Sequence, residues 1–510
     1  MMRRSFPFLM LGAIGALAAA PAGPATSPGR AAQAPPAAIA AAPGPGLAPF
    51  VAIRETAFVL EHVRVIDGTG AAARDDQSVV VVDGRIASVG PAGSVQAPAG
   101  AKHLPYPGHT VFPGLVGMHN HLYYSASITT QREADGGIGQ PGLFVDEIPY
   151  TAPRLYLAAG VTTMRTTGCV EPGTDLKIKR RIDAGEMPGP RVDATAPYLE
   201  GPGTIFAQMH ELGSPEEARR TVDFWADSGM TSFKAYMNIT RDQLGAAIAA
   251  AHARGLKLTG HLCSVTWPEA IALGIDDLEH GPVFTDTEFV ADKKPDVCPS
   301  GKGRGDSWQG LAVTDARVKD LIASLVTHHV AVTSTLPVFE ASVMGRPPIQ
   351  KRVLDAMSAS ARDSYLTLRA AASSVGSAVA LPDAAFRKEM DFERAFAQAG
   401  GLLLAGPDPT GNGGVLPGYG DQREVELLVE AGFTPVEAIQ VATGNGARFL
   451  GRESEIGAIQ KDHRADLVLV KGDPSKSIAD IENVEVVFKD GVGYDAGKLV
   501  ESVKGQVGIR

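Results

Sequence analysis

The chain has 510 residues, of which 44% are hydrophobic and 20% are charged, so it can bury a large core of the kind found in soluble enzymes. Its formal net charge is -10, which argues against a nucleic-acid partner because phosphate contacts require a basic surface. Its three cysteines are too few for a disulfide-rich scaffold.

The first 50 residues have the composition of a secretory signal peptide followed by a flexible linker. Arg3 and Arg4 precede an apolar run at 6–20, and a stretch rich in alanine, proline and glycine follows at 21–49. Because the apolar run is shorter than the ~20 residues that a membrane helix needs, we expect no stable membrane span after signal removal. We predict export to the periplasm or the cell exterior, with an uncleaved membrane anchor as the alternative.

Short strands of alternating polarity are predicted near both ends of the remaining chain. Residues 51–113 contain such strands between positions 57 and 83. Residues 450–510 contain two more, at 465–470 and 484–491. The two terminal segments are therefore both predicted to be rich in β-structure.

The central region, residues 114–449, alternates short apolar runs with amphipathic helical patterns. The predicted strands are 109–122, 160–165, 191–196, 232–237, 256–261, 275–281, 330–336 and 402–408. The predicted helices include 215–228, 240–254, 315–328 and 383–399. This alternation is typical of βα units around a parallel sheet, and it predicts an eight-stranded parallel barrel.

Five of these strands contain or precede a side chain that can bind a metal ion. The six side chains are His119, His121, Lys234, His261, His280 and Asp408. Since alternate residues of an extended chain face the same side, His119 and His121 can bind one ion together, and neutral imidazole suits zinc and similar ions. The functional groups of parallel barrels gather at the carboxyl ends of the strands, so all six are expected at one rim.

The order of these residues resembles the amidohydrolase superfamily, which consists of metal-dependent hydrolases built on a distorted TIM (β/α)8 barrel. The resemblance covers nearly all of the chain after Ala57. It implies that His119, His121 and Asp408 bind one divalent ion and that His261 and His280 bind a second. It also implies that both termini form a small β-sandwich domain, from residues 51–113 and 450–510.

The same resemblance gives Lys234 the role of a bridging ligand, N6-carboxylated, between the two ions. A lysine ammonium is a cation without an acceptor atom, so Lys234 must be deprotonated or modified before it can join such a cluster. Two adjacent divalent ions, with zinc as the default, lower the pKa of a shared water and polarise the scissile carbonyl. Asp408 would take the proton from the bridging water.

We therefore predict a binuclear metal-dependent hydrolase that cleaves a C–N amide bond by attack of a metal-bridging hydroxide. The residues around Lys234, the Leu278–Gly281 motif and the run 432–447 look most like the prolidase-type and imidazolonepropionase-like branch. That branch implies a small-molecule or short peptide substrate, such as an Xaa-Pro dipeptide or an N-acyl amino acid. A cyclic amide or lactone hydrolase and a non-catalytic barrel scaffold are the alternatives, and a homo-oligomer is possible.

Three further residues are candidates for substrate binding. Tyr236 lies two residues past Lys234 on the same strand face and is expected to donate a hydrogen bond to the substrate carbonyl, unless it is a packed core aromatic. Arg165 follows the second strand and would either hold a substrate carboxylate or form a structural salt bridge. His210, after the third strand, is near enough in sequence to reach the pocket.

Two long connections, 282–311 and 337–382, leave the predicted active rim and are expected to shape the substrate pocket. All three cysteines follow predicted barrel strands. In an oxidising compartment Cys169 and Cys298 would pair across two rim loops, while three inert thiols are the alternative. Cys263 is expected near the second metal site but not as a ligand.

Overall fold

The computed structural model describes residues 44–128, 142–204, 206, 208–299, 307–308, 310–373, 380–411 and 414–508. These residues belong to one compact unit. Most of the predicted signal peptide and linker lies outside the described residues, and so do parts of both long connections. Among the helices of the described part, none is both long and apolar enough to cross a bilayer.

The strands are numbered in chain order. They are β1 (Val51–Ile53), β2 (Ala57–Val65), β3 (Arg74–Val82), β4 (Arg85–Pro91), β5 (Lys102–Pro105), β6 (His109–Pro113), β7 (Leu115–Asn120), β8 (Tyr123–Ile128), β9 (Gly142–Glu147), β10 (Val161–Thr166), β11 (Arg191–Asp193), β12 (Ser232–Ala235), β13 (Lys257–Gly260), β14 (Asp277–Glu279), β15 (Ala331–Ser334), β16 (Leu403–Ala405), β17 (Leu467–Lys471), β18 (Val484–Lys489) and β19 (Val492–Asp495).

The α-helices are numbered in the same way. They are α1 (Thr151–Ala158), α2 (Pro172–Asp183), α3 (Pro215–Asp227), α4 (Arg241–Ala253), α5 (Trp267–Leu273), α6 (Pro282–Thr285), α7 (Ala316–Thr327), α8 (Leu336–Glu340), α9 (Lys351–Ala356), α10 (Ala359–Ala372), α11 (Asp383–Gln398), α12 (Tyr419–Glu430), α13 (Pro435–Gln440), α14 (Gly446–Phe449) and α15 (Ala496–Glu501). A π-helical turn, Val441–Asn445, joins α13 to α14, and short 3-10 helices lie at Ala48–Phe50 and Ile478–Glu482.

Both terminal segments contribute strands to one nine-stranded sheet. Its order is β1-β19-β18-β17-β6-β2-β3-β4, with β5 paired to β2. The two segments meet where β17 runs antiparallel to β6, with Leu467 opposite Pro113. Alternating residues such as Phe58, Val79 and Phe488 form the buried core of this sheet. The prediction of β-structure at both ends is confirmed, and it takes the form of a single shared sheet.

The predicted first barrel strand is two strands that separate at Gly114. β6 belongs to the nine-stranded sheet, whereas β7 pairs in parallel with β10. A side chain at Gly114 would meet the side chain of Thr162 at 2.0 Å, so only glycine fits this crossing point. The chain thus passes from the terminal sheet to the central strands at Gly114.

Of the ten strands that the structure describes between residues 114 and 449, eight run parallel, as the sequence predicts, and β8 and β9 form a separate antiparallel pair. The eight parallel strands form a three-stranded sheet, β11-β10-β7, and a five-stranded sheet, β12-β13-β14-β15-β16. Isolated parallel bridges pair Thr195 with Ser232 and Leu199 with Ala235, which join the chain after β11 to β12. The predicted α/β class is confirmed. The candidate ligands lie at or just after the carboxyl ends of their strands.

Side-chain caps explain why several central helices begin where they do. Ser214 accepts a hydrogen bond from the backbone N–H of Glu217 at the start of α3. Thr240 and Thr266 form reciprocal capping boxes with the third residues of α4 and α5. These caps satisfy backbone N–H groups that the helix leaves without a partner, and the starts of α3 and α4 lie within one residue of the predicted positions.

The described part of the 282–311 connection is fastened to the end of β13 by a disulfide bond. Cys263 pairs with Cys298, with their Cα atoms 4.9 Å apart, and Cys169 is buried and unbridged. The predicted Cys169–Cys298 pair is therefore wrong. The 282–311 connection returns to the segment just after β13, and this brings Cys298 to Cys263 instead of Cys169.

Non-covalent bonds hold the same segment on the same side. The Thr287 hydroxyl donates to the carbonyl of Cys263 at 2.9 Å, and Lys293 Nζ donates to the carbonyl of Ser264 at 2.7 Å. The Asp296 carboxylate accepts from Nε and Nη2 of Arg241, each at 3.0 Å. The long connection is thus attached directly beside His261.

The disulfide gives a simple count to check. The unfolded, unreduced protein is expected to titrate one thiol, from Cys169, and three thiols after reduction. Ellman titration in denaturant, followed by mass spectrometry of the peptides that contain Cys263 and Cys298, measures both numbers. Three thiols before reduction, in protein made under oxidising conditions, would contradict the assignment.

Candidate metal centre

The two histidines that end β7 lie beside Asp408, which follows β16. His119 and His121 are 1% exposed. The Nε2 atom of His121 lies 3.1 Å from Asp408 Oδ1, and the Nε2 atom of His119 lies 3.7 Å from the same oxygen. These three side chains form a group whose ligand atoms are close enough together to bind one metal ion.

Contacts on the far side of β7 fix the direction of this histidine pair. Asn120, between the two histidines, donates from Nδ2 to Asp421 Oδ1 on α12 at 2.9 Å. A side chain at Gly406 would meet the backbone nitrogen of His119 at 2.2 Å, so glycine allows the end of β16 to approach β7 closely. The backbone N–H of Asp408 then donates to the carbonyl of His119 at 3.1 Å.

His280 and His261 complete a continuous cluster of imidazole rings. The ring of His280 lies 4.5 Å from that of His119 and 4.3 Å from that of His261. His280 Nδ1 lies 2.9 Å from the Thr335 hydroxyl and 3.9 Å from Asp408 Oδ2. The histidines predicted for the second ion are therefore adjacent to those predicted for the first.

Lys234 on β12 lies inside this cluster. It is 1% exposed, and its Nζ atom contacts Oε2 of Glu279. Burial lowers the pKa of Lys234, although the neighbouring Glu279 acts in the opposite direction. The structure thus brings together all six side chains that the sequence predicts as metal ligands.

Two of the candidate ligands adopt a backbone conformation that is uncommon outside glycine. The φ angles are 72° at His280 and 52° at Asp408. Such left-handed residues cost conformational energy and concentrate at binding and catalytic sites, where the surrounding fold holds them in place. His280 adopts this conformation directly after β14, and Asp408 adopts it two residues after Gly406.

The electrostatics of the cluster suit a metal ion. Burial holds the pKa of His119 and of His280 well below the usual histidine range, which keeps both rings in the neutral, metal-binding form. The buried atoms His121 Nδ1 and Asp408 Oδ1 have no hydrogen-bond partner. Since an unsatisfied buried polar atom costs about 1–3 kcal/mol, a bound cation is a natural partner for this group.

Three tyrosines lie beside the histidines of the cluster. The Tyr123 ring stacks 4.4 Å from His121, and the hydroxyls of Tyr123 and Tyr198 lie 2.7 Å apart. The Tyr236 ring lies 5.0 Å from His261 and 5.0 Å from Tyr198. Burial raises the pKa of Tyr123 and of Tyr198 well above the usual range, so both remain neutral hydrogen-bond donors.

The other two substrate-binding candidates lie apart from these tyrosines. Arg165 is 1% exposed and donates from Nη2 to Glu279 at 3.0 Å and to Asp277 at 3.2 Å, which matches the structural salt-bridge alternative. The His210 side chain is 69% exposed and pairs with Glu217 at 2.7 Å. Neither of these contact sets includes one of the six metal ligands that the sequence predicts.

Sequence reasoning missed two kinds of residue at this site. Glu279 immediately precedes His280 and forms a second candidate metal-binding group with His119 and His280. Tyr123 lies two residues past His121, so strand alternation alone would have placed it on the same side. The neighbours of Glu279 come from several strands, and only the folded chain shows them.

The histidines and the carboxylate at the carboxyl ends of these parallel strands are a set of ligands that can bind a metal ion. The model of the amidohydrolase family matches residues 414–493 of this chain. No curated protein sequence matches the chain.

Solved structures match over most of the chain. A putative prolidase from Bifidobacterium longum is 24% identical, with 88% of this chain and 98% of that one covered and a TM-score of 0.60. An Xaa-Pro dipeptidase with methionine bound in its active site is 19% identical, with 86% and 100% covered and a TM-score of 0.62. A bottromycin amidohydrolase is 21% identical, with 90% and 94% covered and a TM-score of 0.65.

At these identities the solved structures establish the fold, and the family match links the chain to the amidohydrolases by sequence. The predicted resemblance to the amidohydrolase superfamily is confirmed. The family match also supports the prediction that the chain is a hydrolase acting on amide bonds.

Proposed function

We propose that this protein is a binuclear metal-dependent hydrolase that cleaves the C–N amide bond of a short peptide or an N-acyl amino acid. One observation carries the proposal. Six side chains from five parallel strands converge at the strand ends, and two of their buried polar atoms, on His121 and Asp408, have no hydrogen-bond partner. A non-catalytic scaffold gives no reason for such a buried, unsatisfied donor set.

The residues present can be divided into two ligand groups. We propose that His119, His121 and Asp408 hold one divalent ion and that His261 and His280 hold the second. Lys234, N6-carboxylated, would be a ligand shared by both groups. Burial lowers the pKa of Lys234, which favours the neutral amine that reacts with carbon dioxide. When bound, such a pair of ions lowers the pKa of water and polarises a carbonyl, and zinc suits this set of nitrogen and oxygen ligands.

The protein's own side chains supply the proton transfers and orientation. Asp408 is positioned to accept a proton at its carboxylate from the attacking water and to return it to the leaving nitrogen. The support is its position 3.1 Å from His121 and its 14% exposed side chain, which leaves room for contact with substrate. Tyr236, beside His261, would donate its hydroxyl proton in a hydrogen bond to the substrate carbonyl oxygen.

The substrate class is inferred from the solved structures that match the fold. Two of them are described as a putative prolidase and an Xaa-Pro dipeptidase, and a third as an amidohydrolase. The three tyrosines offer apolar faces and hydroxyl donors beside the cluster, which suits a small substrate with both apolar and carbonyl groups. We therefore propose an Xaa-Pro dipeptide or an N-acyl amino acid.

We further propose that the eight parallel strands close into one (β/α)8 barrel and that the terminal sheet folds as a small β-sandwich. The bridges between the end of β11 and β12 support closure on one side. The hydrogen bond from Asp408 to His119 supports it on the other. Export is proposed as well, because a Cys263–Cys298 disulfide persists in oxidising compartments.

The function can be tested on the purified full-length protein. Metal per chain is measured by elemental analysis, and hydrolysis is followed with a panel of Xaa-Pro dipeptides, N-acyl amino acids, cyclic amides and lactones. We expect two ions per chain and hydrolysis of a linear amide, lost with a chelator and restored by zinc. Turnover of ring substrates alone would move the assignment to the cyclic amide or lactone alternative, and absence of both metal and turnover would leave only a scaffold.

A further inference from the structure

Glu279 is a fully buried carboxylate that touches two candidate metal ligands at once. It ends β14, immediately before His280. Its Oε2 atom contacts Lys234 Nζ and lies 3.4 Å from His119 Nδ1. Lys234 and His119 belong to different strands, β12 and β7, so Glu279 connects two separate parts of the candidate centre.

The other carboxylate oxygen of Glu279, Oε1, is held in place by two hydrogen bonds. Oε1 accepts a hydrogen bond from the Thr259 hydroxyl at 2.6 Å and another from Arg165 Nη2 at 3.0 Å. β14 is itself paired on both sides, with β13 and β15. Because Oε1 and the backbone are both fixed, Oε2 has one direction available, toward the two candidate ligands.

The geometry at His119 matches a general feature of metal sites. A metal-binding histidine usually donates its second ring N–H to a carboxylate, which fixes the tautomer and the ring orientation. Nε2 of His119 faces Asp408, whereas Nδ1 faces Glu279. A proton on Nδ1 would leave the Nε2 lone pair available on the side where the other candidate ligands lie.

The geometry at Lys234 is compatible with each chemical state of that side chain. An ammonium, a neutral amine and a carboxylated lysine all keep at least one N–H on Nζ. Glu279 Oε2 can therefore accept a hydrogen bond from Lys234 before and after carboxylation. The same carboxylate oxygen can hold the lysine nitrogen in one place throughout assembly of the centre.

We propose that Glu279 is a positioning residue of the metal centre, which orients His119 and Lys234 through a single carboxylate oxygen. The proposal rests on the proposed function. A purely structural role would instead have Glu279 balance the buried charge of Arg165.

The chain contains a matched control for that structural role. Asp277 is two residues earlier on β14 and is also fully buried. Its Oδ2 accepts from Arg165 Nη2 at 3.2 Å and from the Thr333 hydroxyl at 2.7 Å. Asp277 thus shares the charge partner of Glu279 and the same kind of hydroxyl donor, and the contacts described for it include neither His119 nor Lys234.

The experiment compares zinc affinity and the visible spectrum of the cobalt-substituted protein for wild type, Glu279→Gln and Asp277→Asn. Affinity is measured by competition with a chromophoric chelator, and thermal unfolding of the metal-free proteins reports stability separately. We expect Glu279→Gln to weaken zinc binding by about 10- to 100-fold and to alter the cobalt spectrum. Asp277→Asn should retain the wild-type affinity and spectrum, even with a lower Tm.

Each outcome decides the proposal. Unchanged affinity and spectrum in Glu279→Gln would overturn it, and so would equal losses in both variants, which would indicate charge balance. Loss of a whole ion at saturating zinc would make Glu279 a direct ligand and would also overturn it. If Glu279→Gln does not fold, Thr259→Val, which removes one donor to Oε1, replaces it: weaker zinc binding supports positioning, and wild-type binding contradicts it.

Failure of this inference is distinguishable from failure of the proposed function. Wild-type protein that binds no metal and hydrolyses no substrate of the panel would refute the function itself. Wild-type protein that binds zinc and is active, together with an unaffected Glu279→Gln variant, would refute only the positioning role.

Discussion

Replacement of Lys234 by alanine is expected to lower kcat/KM by at least about a thousandfold, equivalent to about 4 kcal/mol of transition-state stabilisation. Bound metal should fall from two ions per chain to one or none. The reason is that Lys234 is buried, with 1% of its surface exposed, among the candidate ligands of the two proposed ions. Elemental analysis and steady-state kinetics on the same preparation measure both effects.

Lys257→Ala is the control for this substitution. Lys257 begins β13, the strand next to Lys234, and its Nζ atom lies 3.7 Å from Asp276, with the side chain 46% exposed. We expect this variant to keep the wild-type metal content and turnover. If Lys234→Ala also kept both, the bridging role would be lost and the protein would be reassigned as a mononuclear hydrolase or a scaffold.

The second large expected effect is a fall in stability with rising pH, caused by three buried glutamates on the helices α11 and α12. Glu389 and Glu393 on α11 and Glu424 on α12 are all fully buried. The Ser334 hydroxyl lies 2.8 Å from Glu393 and 2.5 Å from Glu424. Because a hydroxyl has a single proton to donate, at least one of these two carboxyl groups must itself be protonated and donate to Ser334.

Burial raises the pKa of all three glutamates, to about 8 for Glu389 and well above the usual range for the other two. The folded protein therefore binds more protons than the unfolded chain once pH exceeds the ordinary glutamate value of 4.5. The free energy of unfolding should fall as pH rises through this window and level off above the raised pKa values. For Glu389 alone the loss is on the order of a few kcal/mol.

This expectation is tested by urea unfolding at a series of pH values from about 5 to 9, the range over which these groups titrate. Wild type should lose stability steadily across the range, and Glu389→Gln should lose less because its amide cannot ionise. The amide oxygen can still accept the hydrogen bond that Glu389 receives from the backbone N–H of Val283 at 2.9 Å. Metal linkage is common to both proteins and cancels in the difference. Parallel pH profiles would show that Glu389 is ionised in the folded state.

The candidate ligands could be predicted because each follows a short apolar run, and parallel strands bring their carboxyl ends together. The structure also confirms the predicted parallel strands that carry these ligands. Glu279 could not be found in this way, since its importance depends on Lys234, His119 and Arg165, which come from three other strands. The disulfide was mispredicted because cysteine spacing carries no information about how the 282–311 connection folds back.

The terminal sheet shows the same limit of local patterns. Alternation identified four of its strands, which became β2, β3, β17 and β18. It could not show that β17 pairs with β6, about 350 residues earlier in the chain, because strand partners are chosen by shape and burial in the folded state. The need for glycine at position 114, between β6 and β7, also could not be predicted, because it depends on the nearby side chain of Thr162.

The Cys263–Cys298 bond makes the expression host part of the experimental design. In a reducing cytoplasm this bond would not persist, and the segment beside His261 would be held only by the hydrogen bonds and ion pairs of Thr287, Lys293 and Asp296. Protein produced in such a host and protein produced in an oxidising compartment are then chemically different samples. Kinetic constants from the two can be compared only after the bridge has been verified in each batch.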